Sequence, residues 1–188
     1  MAELLVTAAS NVAPPFDFSD FDFTKVAVLS ATDTQIAVQY GAFVMVFQGS
    51  FSFDESGNLS PDSPLNGFGL FYDQSLIMSV SGFTLPSQMI ADGDLYALLA
   101  VALSGDDIIT SAWSGGERIN GFTGNDTIRA GSGDDTIFGG AGQDELILGD
   151  GVQTYSFTFD DSAGALLTTT RGRDMLFDVE TVRLANQT

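Results

Sequence analysis

The chain has no cysteine and no histidine among its 188 residues, and a single lysine, Lys25. Without cysteine there is no disulfide framework, so something else must staple the fold. The two absences together also remove the usual general bases and the thiolate nucleophile, and Lys25 falls in a predicted strand. Basic charge is scarce: 6 Lys and Arg stand against 25 Asp and Glu, a net charge of −19. That balance excludes nucleic acid as a partner, disfavours anionic membrane surfaces, and makes cations the natural counterpart. The opening MAELLVTAASNVAPPF carries Glu3, no Lys or Arg and only a short apolar run, so it does not read as a cleaved signal peptide. The longest apolar stretch, Leu95 to Leu103, is nine residues, well short of a membrane crossing. Against these lacks, 44% of the residues are hydrophobic, too many for a disordered acidic chain. The length allows one or two small domains with a real core.

The most ordered pattern runs from Gly121 to Leu148: GFTGNDTIR, AGSGDDTIF, GGAGQDELI, then Leu148. Each block of nine has Gly at its fourth place, Asp at its sixth (Asp126, Asp135, Asp144) and a branched aliphatic residue at its eighth (Ile128, Ile137, Leu146). Nine residues are too few for a helical repeat and too regular for a linker. The unit is therefore a tight glycine turn followed by a three-residue strand. Backward in frame, AWSGGERIN keeps Gly115, puts Glu117 at the Asp position and Ile119 at the eighth. One block earlier, SGDDIIT fits only with one inserted residue, which brings Asp107 near the Asp126 column. Forward, LGDGVQTYS keeps Gly149 and Gly151 but has Gln153 at the sixth place, with Asp150 as a marginal acidic neighbour. A composition rich in Gly, Asp and Ser also suits a flexible loop, but the aliphatic residue at every ninth place argues against that. No Gly-Lys-Ser/Thr follows a glycine run, and no Asp-x-Asp-x-Asp-Gly loop with a twelfth-position Glu occurs.

These blocks resemble the GGxGxDxUx nonapeptide of the RTX (repeats-in-toxin) calcium-binding proteins. The resemblance implies a parallel β-roll with two nonapeptides per 18-residue coil, the eighth positions inward and glycine turns along both edges. It also implies about two to four Ca2+ ions between stacked turns. Their ligands would be the side chains of Asp107, Glu117, Asp126, Asp135, Asp144 and Asp150, with turn backbone at Gly115, Gly121, Thr123, Gly124, Gly131, Ser132, Gly133, Gly139, Gly140, Ala141 and Gly142. The 18-residue period pairs Asp126 with Asp144 on one edge and Glu117 with Asp135 on the other. Two carboxylates about 5 Å apart repel by roughly 3 kcal/mol at an effective dielectric of about 20. Calcium would reverse that sign, giving repeats largely unfolded at cytosolic calcium and folded outside the cell. Proteins of this kind leave Gram-negative bacteria by type I secretion with an uncleaved C-terminal signal, so the resemblance places the chain outside such a cell or on its surface.

The remaining chain reads as mostly strands, and the expected fold class is all-β. Residues 1–15 form a mobile lead ending at Pro14-Pro15. FDFSDFDF, residues 16–23, is an edge strand with a bulge at Ser19-Asp20, or a strand that adds to a neighbouring subunit's sheet. KVAVLS, TQIAVQY, AFVMVFQ, SFSF, FGLFYD and SLIMSVSGF are strands of a β domain over 16–85, a sandwich or an irregular continuation of the solenoid. Between them, Asp54, Ser56 and Asn58 could imitate a calcium loop, but a plain hairpin turn is the favoured reading. Residues 86–103 make one helix, capped by Asp92 or Asp94, that covers the open end of the roll. The β-roll, a β-solenoid, occupies 104–152. A C-terminal β cap and secretion signal occupy 153–188, where Gly172, Asp174, Leu176, Glu180 and Leu184 match the segment that follows the repeats in such proteins.

A non-catalytic, secreted, calcium-binding structural protein is thus expected, one that self-associates into a homo-oligomer, matrix, surface layer or filament. The alternative is a calcium-dependent adhesin or module binding cell-surface polysaccharide. RTX repeats also occur as appendages of secreted enzymes, but the paired carboxylates here are committed to the calcium pattern. Neither nucleic-acid binding nor membrane insertion is expected.

Overall fold

The structure is a computed structural model that describes residues 1–6, 25–72, 74–149, 152, 154–160 and 164–185. The aromatic stretch 16–23 and Asp150 lie outside the described residues. Strands dominate, as expected for the all-β class, and no described helix is long and apolar enough to cross a membrane.

The first half of the sheet is an antiparallel meander of β2 (Ala27–Ala31), β3 (Gln35–Tyr40), β4 (Phe43–Gly49), β5 (Pro64–Tyr72) and β6 (Ser75–Pro86). The period-2 pattern sends Ile36, Val38, Met45, Phe47, Phe68, Leu70, Met78 and Val80 into one buried cluster. Each such side chain contributes roughly 1.5–3 kcal/mol on leaving water. The region is therefore neither a sandwich nor a solenoid. Its second layer is helical and completes the same cluster.

The single helix expected at 86–103 is two. α1 (Gln88–Asp92) ends where Gly93 takes a left-handed φ of 72°, and α2 (Leu95–Ala102) starts afresh. Asp94 caps α2, its side chain accepting from Ala97 N at 2.8 Å. α2 buries Leu95, Leu98, Leu99 and Ala102 against the meander. Its Tyr96 reaches the repeats, with an edge contact to Phe122 at 5.3 Å and a hydrogen bond from Asn120 Nδ2 at 3.2 Å.

Residues 3–6, read from the sequence as part of a mobile lead, form a strand instead. β1 (Glu3–Val6) lies between two neighbours, antiparallel to β6 and parallel to β7 (Ile108–Ser111). The reason is the open backbone on both sides: a short β-forming segment satisfies the edge of the meander and the edge of the repeats at once. The meander and the repeats consequently share one ten-stranded sheet.

Past β7 the chain alternates between two stacks. β8 (Arg118–Asn120) and β10 (Thr136–Phe138) pair in parallel in a second sheet, while β9 (Thr127–Arg129) and β11 (Glu145–Leu148) continue the first. Ile137 sits opposite Ile119, and Leu146 opposite Ile128, each pair 18 residues apart. The eighth-position residues Ile119, Ile128, Ile137 and Leu146 are all buried in one cluster with Ile109, Leu167 and Leu176. The antiparallel hairpin of β12 (Tyr155–Asp160) and β13 (Gly164–Thr169) then extends the second sheet. Finally β14 (Arg173–Phe177) and β15 (Thr181–Leu184) return to the two stacks, parallel to β10 and β11. Within the repeats every pair, β7 with β9, β9 with β11 and β8 with β10, is parallel as expected, while the antiparallel meander and the β12–β13–β14 pairs make both sheets as a whole mixed in strand direction.

Candidate metal centre

The glycine turns let successive coils touch. At Gly124 the backbone takes φ 125°, and a Cβ there would collide with the carbonyl of Gly105, one coil away. At Gly121 a Cβ would run into both the Gly139 carbonyl oxygen and Asp126 Oδ2. At Gly139 it would meet the Asp178 carbonyl and, at 2.7 Å, Asp144 Oδ2. The first-position glycines therefore clear a space into which the sixth-position carboxylate and a backbone carbonyl of the next coil both point.

Those carboxylates form two columns. In the first, Asp107 N donates to Asp126 Oδ1 at 2.9 Å, Asp126 N to Asp144 Oδ1 at 2.8 Å, and Asp144 N to Glu180 Oε2 at 2.7 Å. Ala2 N begins the column by donating to Asp107 Oδ1. In the second, Glu117 N donates to Asp135 Oδ1 and Asp135 N to Asp174 Oδ1, both at 3.0 Å. The structure thus brings together the pairs expected from the 18-residue period, Asp126 with Asp144 and Glu117 with Asp135. Asp107 joins at a spacing of 19, as an inserted residue requires.

One carboxylate oxygen of each aspartate is used by this ladder. The other is not: Oδ2 of Asp107, Asp126, Asp135 and Asp144 is buried with no hydrogen-bond partner among the described residues. A buried carboxylate oxygen without a partner is costly, and only a cation or a proton relieves it. Burial pushes Asp126 and Asp135 up to about 7. The hydrogen bond from the neighbouring backbone N–H opposes the rise, and nearby carboxylates reinforce it: Asp144, Asp107 and Asp106 around Asp126, and Asp174, Glu117 and Asp134 around Asp135. Burial likewise raises Asp144, Asp174 and Glu117, the last restrained by a hydrogen bond from the Ser111 hydroxyl.

The donor set suits a hard divalent cation such as Ca2+, which takes carboxylate and carbonyl oxygens. Its form is a column rather than a cage. Among the described residues no three acidic side chains converge on one point, so a cation here would draw on one or two carboxylates and on turn carbonyls. The other turn residues differ in what they offer. Thr123 Oγ1 donates to the Ser104 carbonyl at 3.2 Å, and Thr123 bridges Ala141. The Ala141 carbonyl already accepts from Gly124 N at 2.8 Å. Ser132 Oγ lies 3.2 Å from Arg171 Nη2. Gly115, Gly131, Gly133, Gly140 and Gly142 lie in turns so tight that a Cβ at any but Gly115 would strike backbone of an adjacent coil, and at Gly115 it would strike the Trp113 ring.

Sequence reading missed two members of the columns. Asp174 and Glu180 were assigned to the cap, yet they extend the ladder beyond the repeats. The available signal was that Glu180 stands 36 residues, two coils of 18, after Asp144. The fifth positions hold a further surprise, an outer ladder of opposite sense. Asn125 N donates to Asp106 Oδ1 at 2.8 Å, Gln143 N to Asn125 Oδ1 at 2.9 Å, and Arg173 N to Asp134 Oδ1 at 2.9 Å. Elsewhere, the calcium-loop look of Asp54, Ser56 and Asn58 resolves into a plain turn, with both Asp54 oxygens accepting from Ser56 N, Asn58 N and Asn58 Nδ2.

The family model of the RTX calcium-binding nonapeptide repeat matches residues 114–152, in four copies. No curated protein matches the chain.

Proposed function

We propose, from the premise that residues 114–152 are RTX calcium-binding nonapeptide repeats, that this is a secreted structural protein whose coils close on calcium after export and which then self-assembles outside the cell. The observation that carries the reading is the set of four buried aspartate oxygens without partners, two of them aimed at first-position glycines. In a chain of net charge −19 those columns are self-repelling until a cation is shared along them. At ~10 mM calcium and a dissociation constant of ~1 mM, each site stabilises the folded coil by roughly 1.4 kcal/mol. Three or four sites then rival a small domain's stability of about 5–15 kcal/mol. Folding thus depends on compartment, and calcium takes the stapling role that disulfides serve in other extracellular proteins. When bound, the cation would supply charge neutralisation and cross-linking of coils. The chain's own residues position the carboxylates, through the N–H ladder, and exclude water, through the aliphatic eighth positions. The role is structural rather than catalytic, with the paired acids engaged in the ladder.

A calcium titration followed jointly by circular dichroism and light scattering tests the reading. Gain of β signal with growth in mass is the expected result. Gain of β signal at constant monomer mass overturns the assembly half and favours an adhesin or polysaccharide-binding module. No gain of β signal overturns the calcium half.

A further inference from the structure

The two sheets have four edge strands among the described residues, and three are guarded. β2 is interrupted by a register shift between Val28 and Ser30. β15 carries Arg183, held by Glu145 at 2.6 Å, and β8 is only three residues long with Arg118 at its start. Bulges, basic side chains and short length are the devices that keep sheet edges from pairing with other chains. β12 has none of them. It is six residues long, pairs with β13 in unbroken register, and carries neither proline nor a basic residue. In a chain of net charge −19 its first five residues, Tyr-Ser-Phe-Thr-Phe, are uncharged.

Its side chains are arranged for pairing. Tyr155, Phe157 and Phe159 share one face as a row of rings with centroids 5.4 and 5.8 Å apart. Phe157 packs against the core of the repeats, while Tyr155 is 41% and Phe159 76% exposed. The sequence 155–159 is also symmetric in type about Phe157: aromatic, hydroxyl, aromatic, hydroxyl, aromatic. An antiparallel strand identical to it, centred on Phe157, would set Tyr155 against Phe159, Ser156 against Thr158 and Phe157 against itself. Those are the aromatic and hydroxyl cross-strand pairs that stabilise antiparallel sheets. A glycan could stack on the rings but would leave the backbone N–H and C=O groups of the edge unused.

We infer that β12 is a self-association edge whose occupant is β12 of a second copy, joined antiparallel about a two-fold axis through Phe157. Such an interface is isologous, each copy giving and receiving the same contacts. It continues the five-stranded sheet of one copy into that of the other. This deepens the assembly reading by naming the contact, and it depends on that reading only for the folded, calcium-loaded chain.

The chain's lack of cysteine makes a register test clean. In calcium, an equimolar mixture of full-length Tyr155→Cys and Phe159→Cys should form a disulfide-linked dimer on mild oxidation, whereas Tyr155→Cys alone should not. Separately, Phe159→Lys should weaken self-association about tenfold or more, because symmetry removes the aromatic pair twice. Its circular dichroism and calcium midpoint should stay those of the parent chain, since Phe159 is exposed. Cross-linking of Tyr155→Cys with itself as readily as in the mixture overturns the register. A parent chain that gains β signal in calcium yet remains monomeric overturns both the edge and the assembly reading. Calcium-driven growth in mass unchanged by Phe159→Lys overturns the edge alone, as does loss of polysaccharide retention in that variant without loss of self-association.

Discussion

Asp126→Asn should be nearly silent in one solution and damaging in another, and the contrast follows from the two oxygens of its side chain. Oδ1 accepts from Asp107 N at 2.9 Å, a bond the Asn carbonyl can keep. Oδ2 is buried without a partner, and burial holds the carboxyl up to about 7. At pH 5 without calcium the group in the folded chain is therefore protonated, and Asn is close to its isostere. The expected stability difference is within about 0.5 kcal/mol. At pH 7.5 in ~10 mM calcium the same change removes a charged oxygen from the middle of the column. Asp126 touches Asp107 on one side and Asp144 on the other, so two adjacent sites weaken. At roughly 1.4 kcal/mol per site the loss is roughly 3 kcal/mol. Urea unfolding followed by circular dichroism in the two buffers measures both numbers. An equal loss in both would mean that Asp126 acts through hydrogen bonding alone, and the calcium reading of the column would fail.

Asp134→Ala, at the exposed fifth position, should cost less than Asp126→Ala in calcium, about 0.5–1.5 kcal/mol for the lost bond from Arg173 N. Equal losses in urea titrations would reject the assignment of inner and outer ladders. Gly124→Ala should cost at least about 1–3 kcal/mol through its φ of 125°, with the collision against Gly105 added, and should raise the calcium midpoint; an unchanged midpoint would show that the turn can open freely. Without calcium, stability should fall as pH rises. Folded Asp126 and Asp135 keep protons up to about 7 that the unfolded chain releases near the ordinary value of 3.8, so this stability is complete below about 4 and gone above about 7. A urea midpoint in chelator that rises between pH 5 and pH 8 would contradict the burial of these groups.

The repeats were legible because their physics is local. A period of nine with Gly, Asp and an aliphatic residue in fixed places dictates turn, column and core, and the positions of Ile128, Ile137 and Leu146 follow by counting. The break at Gly93 was legible in kind, since a glycine followed by a capping Asp ends one helix and starts another, but the Ala- and Leu-rich run that follows from Leu95 masked the signal. β1 was not legible at all. Four residues of ordinary strand propensity carry no mark of the partners that hold them, which lie about eighty and a hundred residues further on. Of the columns' C-terminal members, Glu180 keeps the 18-residue count from Asp144 and could have been found by it, whereas Asp174 falls 39 residues after Asp135, off any multiple of 18, because the β12–β13 hairpin intervenes.

β1 also sets an order of events. Its first contact with the repeats, Ala2 N to Asp107, spans 105 residues, a closure that costs on the order of 4 kcal/mol in chain entropy before any strand pair repays it. The meander and the coils can each gather mostly from near neighbours in the chain, but the seam between them forms only after both of its banks exist. Residues made first are thus expected to be placed last, with the seam as the expected slow step, which refolding kinetics with β1 deleted would check. A change in calcium that loosens β7 takes away one of the two neighbours of β1, and so carries the effect of the ion across the seam into a domain that contains none of the proposed calcium-column residues except through Ala2.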